Sequence, residues 1–176
     1  MIEKEISAAT LVWFRNDLRI DDNPALSAAL SGEGPVVALY VLDDETENLR
    51  PLGAASRWWL HHSLTALRGV LEKLGVALIL RRGPAASAID DVLRETGIAR
   101  VVWNRRYDPG GVAADTAIKA ELKRRGVETA SYNAALLVEP WEVKTGSGDP
   151  YKVFTPFWRA ARALGAMQAP TGKPDP

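Results

Sequence analysis

Thr10–Phe14, TLVWF, is a short unbroken apolar run, and after the polar stretch RNDLRID (residues 15–21) comes Asp22-Asn23-Pro24. Five apolar residues without alternation read as a strand buried on both faces, the pattern of a sheet with helices on either side. Asp22 or Asn23 then offers an N-cap. Pro24, whose missing N–H costs nothing at a helix start, opens the helix PALSAAL, which Ser31-Gly32 closes. Strand, polar loop and capped helix make one unit, and the chain repeats that unit.

Residues 35–42 (PVVALYVL) predict a second buried strand, followed by a polar loop from Asp43 to Pro51. A long helix is expected over residues 54–74, where Leu60, Leu64, Leu67, Leu71 and Leu74 recur at steps of four and three and mark one apolar stripe. Gly75 ends it, and residues 76–80 (VALIL) read as the third strand. A helix over 85–96, closed by Gly97, leads to a fourth strand at 100–103 (RVVW). A helix over 112–125 and a fifth strand at 127–132 complete the series. Strands alternating with helices imply a doubly wound, Rossmann-like α/β domain: a five-stranded parallel sheet with helices on both faces. Past Tyr132 the texture turns irregular, with a helix expected over 157–164 after Thr155-Pro156. The end, residues 169–176 (APTGKPDP), is linker-like. The expected division is therefore a domain over 1–168 and the start of a linker at 169.

Composition closes off several classes of function. The 176 residues are 47% hydrophobic and 25% charged, as in ordinary globular proteins. There is no cysteine, which removes disulfides, thiolate metal sites and thiol nucleophiles. His61 and His62 are the only histidines, and as neighbours on a helix they do not converge on one metal. Lys plus Arg and Asp plus Glu both number 22, so no net field draws the chain to nucleic acid or membrane. The first ten residues carry no signal-peptide pattern, and no apolar run reaches the roughly 18–20 residues of a membrane span; a cytoplasmic protein is expected.

Ligands of open parallel sheets bind at the carboxyl ends of the strands. The loops there are residues 15–23 (RNDLRIDDN), 43–51, 81–84 and 104–111 (NRRYDPGG). Arg15, Asp17, Arg19, Asp21 and Asp22 read equally well as ligand contacts and as a network bracing the loop. Trp13 and Trp103 end buried strands and read as core; Arg81-Arg82 and Lys123-Arg124-Arg125 read as solvated charge. No GxGxxG follows Phe14, and neither GxxxxGK[ST] nor GxSxG occurs. On residues alone this is a ligand-binding α/β module without visible catalytic machinery.

Residues 11–26, LVWFRNDLRIDDNPAL, closely resemble the opening signature of the DNA photolyase/cryptochrome family. WNRRYDPGG (103–111), LLVEPWEV (136–143) and PYKVFTPFWRA (150–160) resemble further motifs of that family, in its order and near its spacing. Bacterial photolyases acting on cyclobutane pyrimidine dimers look nearer than animal cryptochromes. The resemblance implies the N-terminal half of a two-domain enzyme, in which an α/β domain holds a light-harvesting antenna chromophore. A larger C-terminal helical domain, absent from this sequence, holds FAD and binds damaged DNA. The α/β half alone is then not catalytic. The face where the helical domain docks is open for weak self-association. A cryptochrome-type blue-light photoreceptor and a stand-alone nucleotide-binding or interaction module are the rival expectations.

The resemblance also implies an antenna site. Asp108 aligns with the carboxylate that grips the heterocycle in relatives, with Asn104 and Tyr107 beside it. A carboxylate accepts two parallel N–H bonds from a pterin or deazaflavin edge. Asp is shorter by one methylene than the Glu common at that place. Tyr40, Asp43 and Arg57 match positions that contribute in deazaflavin-binding relatives, while Arg106 stands where an acidic residue is usual. That reversal of charge disfavours deazaflavin and points to methenyltetrahydrofolate, whose glutamate tail an arginine can pair, with FMN as the other option. Trp158 reads as packing and not as an electron carrier.

Overall fold

The computed structural model describes residues 9–165 and 169–174. The signal-free reading of residues 1–8 and the expected boundary at residue 168 lie outside them. Five strands and five helices follow in the order β1 (Thr10–Phe14), α1 (Pro24–Leu30), β2 (Val36–Leu42), α2 (Ala54–Lys73), β3 (Ala77–Arg82), α3 (Ala85–Thr96), β4 (Arg100–Asn104), α4 (Pro109–Arg124), β5 (Glu128–Tyr132) and α5 (Phe154–Ala163). The strands form one all-parallel sheet in the order β3-β2-β1-β4-β5. The doubly wound α/β expectation is met.

Side chains of a strand alternate between faces, and the core divides accordingly. Leu11, Trp13, Leu39, Val41, Val101 and Trp103 face α3 and α4; Val12, Phe14, Ala38, Tyr40 and Val102 face α1 and α2. The central strand β1 is buried throughout, as its unbroken apolar sequence requires. Leu67 and Leu71 of the leucine stripe are buried, and Leu60, Leu64 and Leu74 pack partly against the same cluster. The N-terminal half of α2 instead exposes Trp58 and Trp59, at 63% and 68%.

Several boundaries differ from the sequence reading for identifiable reasons. β3 includes Arg81 and Arg82 and leaves Leu80 42% exposed, because it is one of the sheet's two outer strands; charged residues there discourage pairing with a stray strand. Asn23 is the N-cap of α1, its side chain accepting from the Leu26 amide. The same chemistry recurs in α4, which starts three residues before the predicted 112: Asp108 is its N-cap and Pro109 its first residue. α5 begins at Phe154, since Pro156 falls inside the first turn, where no N–H is needed.

The chain divides into two compact units, one comprising the segments up to Ala134 and from Thr171, the other Ala135–Pro170. In the first, Thr171 is tied to the β1–α1 loop: its amide donates to Asp22 Oδ1 at 3.0 Å, and the Asp22 amide donates to its carbonyl at 2.9 Å. Asp22 adopts the left-handed conformation there (φ 47°). In the second, Thr145–Asp149 closes a hydrogen-bonded turn, and Phe154 stacks on Trp158 at 6.2 Å between centroids. Among the described residues, no helix is long and apolar enough to cross a membrane.

Candidate chromophore site

The order of strand addition reverses between β1 and β4, since β1 to β3 build one way from the centre and β4 to β5 the other. Crevices for ligands open at the carboxyl ends of strands beside such a switch. The two strand ends are joined by Asn104, which is buried. Its Nδ2 donates to Asp17 Oδ2 at 2.6 Å and Asn23 Oδ1 at 2.8 Å, and its Oδ1 accepts the Ala25 amide at 3.1 Å. Arg15 is equally buried; it pairs with Asp115 of α4, donates to the Asn104 carbonyl, and lies 4.5 Å from the centroid of the Trp13 ring. Burial lowers the Arg15 pKa and the Asp115 carboxylate opposes that shift. Asp115 also accepts the Trp103 indole N–H at 3.2 Å. Arg19 caps carbonyls of Asp21, Asp22 and Ala134. Of the two readings of RNDLRIDDN, the structure shows a network bracing the loop.

Above this network lies a cavity of about 240 Å³. Its walls are the ends of β1 and β2 (Trp13, Tyr40), the loop after β2 and one face of α4. Gly111, Ala114, Asp115 and Ile118 are the α4 contribution, a helical i, i+3, i+4, i+7 stripe whose first two members are small enough to leave room. A more open groove of about 350 Å³ shares Arg15, Tyr40 and Leu52 and carries Trp59. The first cavity sets aromatic and aliphatic groups beside charged ones, Arg15, Asp43, Arg50, Arg106 and Asp115, which suits a polar aromatic ring.

Three of the seven predicted site residues, Tyr40, Asp43 and Arg106, line this cavity; Arg57, Asn104, Tyr107 and Asp108 do not. Tyr40 is buried; that burial and the charge of Asp44 raise its pKa, with Arg106 and Arg57 offsetting in part. Asp43 is engaged in structure. Partial burial favours its neutral form, but bonds from the Thr46 hydroxyl and the Thr46, Ala85 and Glu45 amides outweigh it, so its pKa is lowered. The bond to Ala85, at 2.9 Å, supplies α3 with the cap that Pro84 cannot.

Asp108 is 47% exposed and directs both oxygens elsewhere than a ligand. Arg106 donates to it in bidentate fashion, Nε at 2.8 Å and Nη2 at 2.9 Å, and the Gly111 amide donates at 2.8 Å. The Arg106 bonds are the main reason its carboxyl lies below the usual range. Tyr107 is half-buried beside it. Arg57 pairs with Asp44 at 2.8 Å and donates to the Leu52 carbonyl at 2.9 Å, fixing the end of the loop after β2.

Sequence reasoning missed Trp13, Arg50, Thr46 and Asp115 as cavity residues. The α4 stripe was open to reading from its spacing. The loop residues carried no such signal. Among the described residues, no group of acidic residues and histidines could hold a metal ion.

Residues 10–175 match the DNA photolyase family. A deoxyribodipyrimidine photo-lyase of Agrobacterium fabrum is 47% identical over 168 residues, which is 96% of this chain and 34% of that protein. Cryptochrome-1 of Arabidopsis thaliana is 43% identical over 156 residues, 88% of this chain and 23% of the relative. The crystal structure of a bacterial class III photolyase from Agrobacterium tumefaciens matches with a TM-score of 0.87 at 47% identity, again over 96% of this chain and 34% of that one. The chain spans a third or less of the length of these relatives. With its strand order and its match in sequence and structure, it belongs to the DNA photolyase family and has the fold of that family's N-terminal α/β domain.

Proposed function

We propose that the domain binds an antenna chromophore, methenyltetrahydrofolate in preference to FMN or a deazaflavin, in the cavity between the ends of β1 and β2 and the face of α4. The observation that carries this reading is the cavity itself, walled by Trp13 and Tyr40 and edged by Arg106 and Arg50. Its volume is just under the roughly 300–1,000 Å³ of pockets that enclose whole drug-sized ligands. A fused ring fits inside and a tail remains outside. Bound there, such a chromophore supplies near-ultraviolet absorption that can be passed on as excitation energy. The protein's part is to bind and orient. Trp13 and Tyr40 offer ring contacts; Asp115 and Asp108 hold Arg15 and Arg106; the loop after β2 excludes water.

In the proposed whole protein, excitation passes to FAD in a helical C-terminal domain, which contacts damaged DNA and carries the light-driven lyase step. The exposed Trp58 and Trp59 supply an apolar face for that partner, or for weak self-association without it. We place the domain in the cytoplasm. The identity to Arabidopsis Cryptochrome-1 favours a second reading, a blue-light photoreceptor built on the same domain. Light-dependent repair of dimer-containing DNA by the full-length gene product decides between the two.

The chromophore reading is tested by absorption titration with methenyltetrahydrofolate, FMN and a deazaflavin. Saturable binding with a red shift for the folate is expected. Binding of none of the three, by the chain or by the full-length product, rejects the reading.

A further inference from the structure

Three arginines line the cavity: Arg15, Arg50 and Arg106. Two of them are neutralised within the protein, Arg15 by the half-buried Asp115 and Arg106 by Asp108. Arg50 has no carboxylate partner among the described residues. The cavity's two lining carboxylates, Asp43 and Asp115, are satisfied by the loop and by Arg15. Glu45 and Glu47, on the same loop as Arg50, do not line the cavity. One positive charge is therefore left uncompensated, and it is exposed at the mouth.

The loop that carries Arg50 is held at three places. Asp43 accepts from the Thr46 hydroxyl and amide at 2.6 and 2.8 Å. Arg57 donates to the Leu52 carbonyl. Between them Asn48 is left-handed (φ 64°), and its carbonyl is turned onto the first turn of α4. A Cβ at Gly110 would come within 2.3 Å of that oxygen and 3.3 Å of the Leu49 side chain. Only glycine lets the loop sit this close. Arg50 is thus presented from a seated loop, with its immediate neighbour Leu49 against the helix.

Resting on the chromophore reading above, we infer that Arg50 reads an anionic tail on the cavity's ligand. The chemistry it selects is an aromatic heterocycle with an acidic arm, whether the arm is a carboxylate, as on a folate, or a phosphate, as on FMN. The guanidinium fork suits both anions. Because it is exposed, its effect is screened by salt. Arg106, held by Asp108, is left to orient the ring edge.

The test compares each ligand with its tailless form, in the full-length product of the gene: methenyltetrahydrofolate against methenyltetrahydropteroate, and FMN against riboflavin. The wild type should bind the tailed member of the preferred pair about tenfold more tightly, about 1.4 kcal/mol. Arg50→Ala should abolish that preference by weakening the tailed form about tenfold more than the tailless one, and Arg50→Lys should keep a part of it. Which pair shows the effect identifies carboxylate or phosphate. Equal binding of tailed and tailless forms by the wild type overturns the inference and leaves the chromophore reading standing. So does an Arg50→Ala protein that weakens both forms alike. A wild type that binds none of the four rejects the chromophore reading and this inference with it.

Discussion

Replacing Asn104 by Ala should damage the fold and spare the ligand site, the opposite of what its place in NRRYDPGG suggests. The side chain is 4% exposed and joins β4 to the β1–α1 loop and the first turn of α1 through three hydrogen bonds. Truncation leaves the fully buried Ala25 amide without its acceptor and takes a donor from Asp17. An orphaned buried donor costs about 1–3 kcal/mol, and the void left by the amide group adds to this. The total, about 2–4 kcal/mol, corresponds to a fall in melting temperature of about 4–16 °C at this chain length. Thermal unfolding followed by far-ultraviolet circular dichroism measures it, and a chromophore titration well below the transition completes the experiment. The titration should give wild-type affinity. A variant that melts like the wild type but binds chromophore weakly would refute the reasoning and return Asn104 to the ligand.

Gly110→Ala should dislodge residues 43–51, because its Cβ would meet a backbone oxygen and not a yielding side chain. Overpacking of this kind costs about 1–3 kcal/mol, and hydrogen exchange should quicken in that loop; Gly69→Ala, with nothing near its Cβ, is the control. Asp108→Ala should lose the α4 cap, about 0.5–2 kcal/mol, whereas Asp108→Asn keeps it. The folded pKa of Asp108 is lowered, so its stabilisation is complete above the unfolded carboxylate value and is lost as pH falls through the depressed folded one. The Asn variant should flatten that acid limb in denaturant titrations at graded pH. Asp115→Ala leaves Arg15 buried without its ion-pair partner and should cost about 3–5 kcal/mol in chemical denaturation; restoring a hydrophobic pair with Arg15→Met should recover much of it.

What could be read in the sequence was whatever rests on neighbours along the chain. Asn23-Pro24 and the Leu60–Leu74 stripe are local signals, and both predicted their elements. Asp108-Pro109 is the same signal as Asn23-Pro24. It went unread because the resemblance assigned Asp108 to a ligand, and the helix was started three residues late. The exposure of β3 depends on strand order, which no single strand encodes. The pairing of Arg15 with Asp115 spans 100 residues, and the seating of Asn48 on Gly110 joins a loop to a distant helix start. Neither the ion pair nor this contact of a loop with the first turn of α4 leaves a periodic trace. Of the proposed ligand residues, Tyr40, Asp43 and Arg106 came through the resemblance; Arg50 emerged only once its two fellow arginines were seen to be paired.

Two of the segments that carry the family resemblance serve largely as scaffold. RNDLRIDDN and NRRYDPGG supply the groups that join β1 to β4 and cap α1 and α4, and many of their polar atoms are engaged there. A switch point demands this, because two strand ends and two helix starts bring orphan backbone donors into one buried place. Apart from the seat of Asn48 on α4, the loop after β2 is under no such demand between its anchors at Thr46 and Leu52. It can vary while the sheet and the caps stay fixed. If that division holds, the choice of chromophore resides in residues 46–52 more than in the signature motifs. Exchanging that loop between two members of the family should then carry ligand preference with it, and exchanging Asp108 alone should not.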